Sequence, residues 1–179
     1  NNTEIINPVN KREKEEYINP FRNGWEKRYY KTLFGIDIDD NRRKQICINY
    51  LEGLEWNINY YTTGCKDWTW RYKYHYPPLL SDLVKYTPYF DTEFITHNVD
   101  NKAVAPMVQL AYVLPKANLY LLPKHIQEAL IETGWYNVSE MPFEWSFCKY
   151  FWESHVCLPS ISLDRLTDIC NSRTQNKTK

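Results

Sequence analysis

Residues 64–78 read Gly-Cys-Lys-Asp-Trp-Thr-Trp-Arg-Tyr-Lys-Tyr-His-Tyr-Pro-Pro, the densest chemistry in the chain. Trp68, Trp70, Tyr72, Tyr74 and Tyr76 share one parity, and Arg71, Lys73 and His75 share the other. Successive side chains of an extended segment point to opposite faces, so such a segment would carry rings on one side and cations on the other. Single-stranded nucleic acid needs both, because bases stack on flat rings at about 1–3 kcal/mol each and cations hold phosphates. The same pattern has a second reading. Large rings at period two also form a buried strand face, here against Trp56, Tyr60 and Tyr61, with the cations in water. Residue chemistry leaves both readings open, and the expectation is mixed: most rings structural, one exposed.

Other candidates carry less. Asp37, Asp39 and Asp40 precede a helical pattern, where carboxylates cap a helix N-terminus more readily than they gather a metal. His75, His97, His125 and His155 show no ligand spacing, and Cys148, His155 and Cys157 would need a fourth partner for zinc. No metal site is expected. No phosphate-binding Gly-rich loop, nucleophile elbow or Cys/His constellation is visible, so no catalytic residue is assigned. Lys27, Arg28 and Lys31 read as the wet side of a helix, with a phosphate-contact patch as the alternative.

The elements that must position these residues are mostly helical. Glu26–Phe34 is a short helix stopped by Gly35. Asp39 and Asp40 cap a longer one, in which Ile46, Tyr50, Leu51, Leu54, Ile58 and Tyr61 recur at helical spacing until Gly64. Ser81 caps a brief turn through Lys85, Pro106 starts a helix carrying Val108 to Val113, and Pro123 starts another that Gly134 ends. Ser162 caps Leu163–Cys170, and residues 87–105 lack period and read as loop. The fold class is mainly α, an irregular helical domain with long loops. Residues 1–16 are a polar linker or frayed end, 17–170 the folded part, and 171–179 a polar tail.

Composition sets the outer bounds. The 179 residues include 7 Trp, 15 Tyr and 7 Phe but only 5 Gly. Lys plus Arg equal Asp plus Glu at 22 each, so the formal net charge is zero, which argues against a protein that coats nucleic acid or membrane indiscriminately. Any polyanion site must be local. Five widely spaced cysteines without a Cys-x-x-Cys pair fit a reducing, intracellular setting, cytoplasmic or nuclear, and no run reaches the roughly 18 apolar residues of a membrane span. Sequons at Asn1, Asn137 and Asn176 read as chance matches in an Asn-rich chain. The first residue is not Met, so the chain is read as a piece of a longer protein, and its Asn, Ile, Lys and Tyr usage fits an AT-rich genome such as that of a large DNA virus.

An ordered series of motifs resembles the second conserved region of Xrn/Rat-type 5′→3′ exoribonucleases. Gly24-Trp25-Glu26-Lys27-Arg28-Tyr29-Tyr30-Lys31, with Phe34 after it, resembles that family's Gly-Trp-Lys-x-Arg-Tyr-Tyr-Lys-x-Lys-Phe. Tyr50-Leu51-Glu52-Gly53-Leu54-Glu55-Trp56 and Tyr60-Tyr61 follow, similar to Tyr-x-Glu-Gly-Leu-x-Trp and Tyr-Tyr-Tyr. The aromatic strip itself resembles Gly-Cys-x-Ser-Trp-x-Trp-Tyr-Tyr-Pro-Tyr-His-Tyr-Ala-Pro, with Ser81-Asp82 at the family's distance. Downstream, Pro106, Gln109-Leu110, Val113-Leu114-Pro115, Trp152-Glu153, Leu158-Pro159 and Arg165-Leu166 fit its later motifs. Asp67 stands for a Ser, Arg71 for a Tyr and Lys73 for a Pro, and the Asp-x-Asn-Gly-Lys expected around Phe143 to Phe151 is missing.

The resemblance implies a helical domain that accompanies a separate nuclease domain not present in this chain. Such enzymes degrade single-stranded RNA with a 5′ monophosphate to mononucleotides. Their Mg²⁺ and its carboxylate cluster belong to the nuclease domain, so no cofactor is expected here. The implied partners are that RNA and the nuclease domain of the same parent protein, with no membrane. The resemblance implies that one indole of the Trp68/Trp70 pair stacks on a terminal base; the residue chemistry of the strip adds Arg71, Lys73 or His75 as the expected phosphate contacts, so the candidate RNA-binding residues are Trp68, Trp70, Arg71, Lys73 and His75. The alternative is a non-catalytic RNA-binding or structural module that retains the fold.

Overall fold

A computed structural model describes residues 11–95, 102–137, 142–157 and 159–172. Their architecture is mainly helical: α1 (Glu13–Ile18), α2 (Trp25–Phe34), α3 (Asp40–Thr62), α4 (Leu80–Tyr86), α5 (Pro106–Val113), α6 (Lys124–Glu132) and α7 (Leu163–Asn171). Tighter 3₁₀ turns run over Lys116–Leu121 and Phe151–Glu153. The strands among the described residues are two-residue segments, β1 (Phe143–Glu144) and β2 (His155–Val156), paired with each other.

Local signals account for most boundaries. Gly35 ends α2 in the left-handed conformation at φ +67°, which a residue without Cβ adopts without strain. The Asp39 carboxylate accepts the Arg42 N–H at 2.7 Å and opens α3. Pro106 occupies the first turn of α5, and the Ser162 hydroxyl accepts from the Arg165 N–H at the start of α7. Two expectations differ. α4 starts at Leu80 without a side-chain cap, so Ser81 lies inside the helix. Against the frayed end expected for residues 1–16, α1 begins at Glu13, because Arg12 reaches Glu15 and the Cys148 carbonyl and Lys14 pairs with Glu144 at 2.9 Å. Residues 1–10 and 173–179, and the sequons at Asn1 and Asn176, lie outside the described residues.

The described residues fall into two compact units. The first holds the chain up to Lys102 together with Glu144–His155, and the second holds Ala103–Phe143 and the chain from Val156 onward. In the second, α5 and α6 pack on α7 around Val108, Ala111, Leu119, Leu122, Ile126, Leu130 and Leu166. In the first, α1 packs on α2 and α3 on α4, with Ile18, Tyr30, Ile46 and Cys47 fully buried.

α3 corrects the expected apolar stripe. Ile46 is buried, but Leu54 is exposed and Ile58 is 64% exposed. Residues spaced by four drift about 40° per step round a helix with 3.6 residues per turn, so Ile58 lies about 120° away from Ile46. The inward face continues instead through Asn49, Gly53 and Trp56.

Candidate nucleic-acid interface

The aromatic strip of the first unit hangs on α3 and α2. Trp56 of α3 donates its indole N–H to the Asp67 carbonyl at 2.7 Å and stacks between Tyr60, at 5.2 Å and 15°, and Trp70, at 6.0 Å and 23°. Tyr60 also meets Trp68 at a right angle, ring centroids 6.2 Å apart at 88°. Such offset and edge contacts satisfy the ring quadrupoles and make one continuous aromatic wall.

Trp68 stands at the tip of a turn tied by Asp67, whose carboxylate accepts both the backbone N–H and the hydroxyl of Thr69, at 2.8 and 2.7 Å. Those bonds, the hydroxyl first, hold the Asp67 carboxyl below its ordinary range. Where the resembling motif has Ser, Asp supplies the same side-chain-to-backbone turn chemistry. Trp68 as a residue is 44% exposed.

Trp70 is half-buried, its ring lying against Gly53. A Cβ built on Gly53 would meet Trp70 Cη2 at 2.6 Å, so this helix-interior glycine is a seat for an indole. The Trp70 N–H donates to Glu52 Oε2 at 3.3 Å; the same oxygen accepts from Asn49 Nδ2 at 2.7 Å, and Asn49 Oδ1 accepts the Lys73 backbone N–H at 3.0 Å. One turn of α3 therefore clamps the strip at two points.

Beyond Trp70 the strip forms no strand, yet its burial alternates. Tyr72 and Tyr74 are half-buried and Tyr76 is buried, while Arg71, Lys73 and His75 are exposed. Tyr72 packs edge-on against Tyr50 at 5.6 Å and donates to the Tyr76 carbonyl at 2.8 Å; Tyr74 meets Phe34 of α2 at 5.5 Å. Burial pushes the Tyr72 phenol well above its usual value. The parity pattern thus survives through side-chain burial without a backbone ladder. The structure gives the mixed outcome: Trp70 and the tyrosines serve the core, and Trp68 combines a ring with exposure.

α2 supports the strip from the other side. Tyr29 donates to the Pro77 carbonyl at 2.9 Å, and its phenol is pushed up to about 12, by burial first and the neighbouring Tyr76 second. Buried Tyr30 donates to Asp82 at 2.7 Å and accepts the Leu79 N–H at 3.1 Å, joining α2 to the start of α4.

Arg28 corrects the reading of a wet helix face. Its guanidinium donates to the carbonyls of Tyr17, Ile18, Asn19, Arg22 and Asn23 at 2.8–3.3 Å. These carbonyls lie at the C-terminal end of α1 and in the loop after it, where the helix leaves acceptors unmatched. Lys27 is exposed and Lys31 pairs with Asp37 at 2.6 Å. The acidic triplet is dispersed: Asp39 caps α3, Asp37 meets Lys31, and Asp40 meets Lys85 at 3.4 Å and Arg43 at 3.6 Å. Histidines without ligand spacing do meet in one place, His75 and His155 at 5.9 Å between ring centroids. Sequence reasoning did not name Asn49, and it had Glu52 and Gly53 only as motif positions, without their role in seating Trp70; the polar and small residues inside an otherwise apolar helical pattern were the available signal.

Among the described residues no three His, Cys, Asp or Glu side chains converge as a metal site, and no helix is long and apolar enough to cross a membrane.

A profile described as the Xrn1 helical domain matches residues 2–178. The chain is 30% identical over 157 residues to the 5′-3′ exoribonuclease 2 of Gallus gallus, covering 85% of this chain and 16% of that protein. It is 31% identical over 158 residues to the 5′-3′ exoribonuclease 2 of Saccharomyces cerevisiae, covering 85% and 15%. Against the 5′-3′ exoribonuclease 2 homolog of Caenorhabditis elegans it is 31% identical over 170 residues, covering 89% and 17%. The chain spans about a sixth of the length of these relatives. They come from a bird, a yeast and a nematode and give no support to a viral origin.

Proposed function

The chain belongs to the Xrn1 helical domain family, and from that premise we propose that it forms the substrate-channel wall of a 5′→3′ exoribonuclease acting on single-stranded RNA with a 5′ monophosphate. The observation that carries this reading is Trp68, a residue 44% exposed on a tied turn, followed by three outward cations at Arg71, Lys73 and His75. An exposed ring stacks on a base of any identity, and cations on the alternate parity neutralise the phosphates that follow it. Trp70 acts behind Trp68, holding the turn from its seat on Gly53.

Hydrolysis belongs, in this reading, to a separate nuclease domain. A pair of metal ions roughly 3.5–4 Å apart needs several converging carboxylates, and among the described residues no three His, Cys, Asp or Glu side chains converge, with Asp37, Asp39 and Asp40 spent on a cap and ion pairs. The Mg²⁺ ions are therefore assigned to that domain, and this chain restricts entry to an unpaired 5′ end. An intracellular location, cytoplasmic or nuclear, is part of the same proposal.

Two measurements test it. In the chain itself, Trp68→Ala weakens binding of a short single-stranded RNA by about 5- to 150-fold, the equivalent of about 1–3 kcal/mol for one lost stack, while Trp68→Phe keeps most of the affinity. In the parent protein with Mg²⁺, 5′-monophosphate RNA is degraded faster than 5′-hydroxyl RNA. Unchanged affinity on Trp68→Ala with the fold retained would leave a purely structural module, and binding without any degradation by the parent would leave a non-catalytic RNA-binding one.

A further inference from the structure

The N-terminal half of α3 presents a second polar feature on the same unit. Asn41, Lys44, Gln45, Ile48, Asn49 and Glu52 fall on one helix face, and Lys73 and Tyr74 of the strip stand opposite them across a cavity of about 560 Å³. Lys44 and Lys73 are both exposed, and neither makes an ion pair among the described residues, a state they share with Lys27 and Lys124; what distinguishes them is that they line one cavity. The one acid in the cavity is already engaged, since Glu52 Oε2 accepts from Asn49 and Trp70. Two cations against one occupied carboxylate leave the cavity net positive in a chain whose formal charge is zero.

We infer that this cleft is a phosphate subsite for single-stranded RNA, with Lys44 and Lys73 as its cations and the Asn41 and Gln45 amides as neutral donors. Two unpaired ammonium groups lining one cleft favour an anion there, and a phosphate takes several donors at once. The backbone of Lys73 is fixed by Asn49 at 3.0 Å, so its ammonium is presented from a set position. In the resembling motif that position is Pro, so the second cation is a property of this chain. The inference rests on the RNA-binding reading above and adds to it a cleft on α3 separate from the Trp68 turn.

The test is fluorescence anisotropy of the full chain with an eight-nucleotide oligouridylate, titrated from 50 to 200 mM salt. Each phosphate contact on a single strand contributes about 0.7 to the slope of log affinity against log salt. Lys44→Ala and Lys73→Ala should each lower affinity and flatten that slope by about 0.7, so each loses about 2.6-fold less affinity than the unaltered chain over the fourfold rise in salt. Lys124→Ala, in the other unit, should leave the slope unchanged. If it flattens the slope equally, attraction is diffuse and the cleft assignment fails. If the two cleft variants match the unaltered chain while Trp68→Ala weakens binding, the cleft alone fails. If the unaltered chain binds no RNA, both readings fail. Oligomers with 5′-phosphate and 5′-hydroxyl separate the source of the phosphate: equal flattening identifies an internal phosphodiester, and flattening confined to the 5′-phosphate identifies the terminus.

Discussion

Gly53 lies in the middle of α3, where alanine ordinarily stabilises a helix by about 0.5–1 kcal/mol. At this position the sign should invert. The new Cβ would stand 2.6 Å from Cη2 of Trp70 and 3.3 Å from its Cζ2. The indole has little room to yield, because Trp56 stacks on it at 6.0 Å and Glu52 accepts its N–H at 3.3 Å. Overpacking of this kind costs about 1–3 kcal/mol, so after the helical gain is subtracted Gly53→Ala should lose about 1 kcal/mol. In a Trp70→Ala background the obstacle is gone, and the same substitution should gain about 0.5–1 kcal/mol. The difference is a coupling of about 2 kcal/mol, within the range for residues in contact. Urea unfolding of the four proteins, followed by far-ultraviolet circular dichroism, reads it directly. An equal effect of Gly53→Ala in both backgrounds would refute the seat.

Three further outcomes follow from the same geometry. Arg28→Lys keeps the charge but loses the planar fork that serves several carbonyls, and should cost about 2 kcal/mol in urea unfolding, against under about 0.5 kcal/mol for exposed Lys27→Ala. Tyr29 titrates at about 12 when folded against 10.0 when unfolded; above pH 10 the unfolded chain binds fewer protons, so its contribution is present below pH 10 and lost as pH rises toward 12. Tyr29→Phe should therefore make the alkaline fall in stability less steep, and an unchanged slope over pH 10–12 would contradict the shift. The buried Cys47 thiol is raised to about 11, by burial first, so at pH 8 it should resist alkylation by iodoacetamide in the folded chain and react after unfolding, as read by mass spectrometry.

The legible parts of the fold were those governed by neighbours in sequence. Gly35, Asp39, Pro106 and Ser162 mark helix ends because capping and backbone freedom involve residues within one turn of each other. The alternating strip was legible for the same reason, since parity is a local property, and Arg71, Lys73 and His75 do face outward while Tyr72, Tyr74 and Tyr76 face in. Which indole stays exposed was not legible. Trp68 and Trp70 have the same type and the same parity, and they differ in what stands opposite them, the Tyr60 ring at a right angle for one and the bare backbone of Gly53 for the other.

The amino-acid sequence by itself determined the helical class, most helix boundaries, the in-and-out rhythm of the aromatic strip and the family motifs, because each of these is written in residues a few positions apart. Tertiary structure alone decided that Arg28 closes the end of α1, that Leu54 and Ile58 stay exposed while Asn49 is buried, that His75 meets His155, and that Lys44 and Lys73 line one cleft. Those contacts join residues from separate elements. They depend on which helix faces meet and at what rotation, and the drift of about 80–120° from Ile46 to Leu54 and Ile58 along α3 carries those side chains from the core into water.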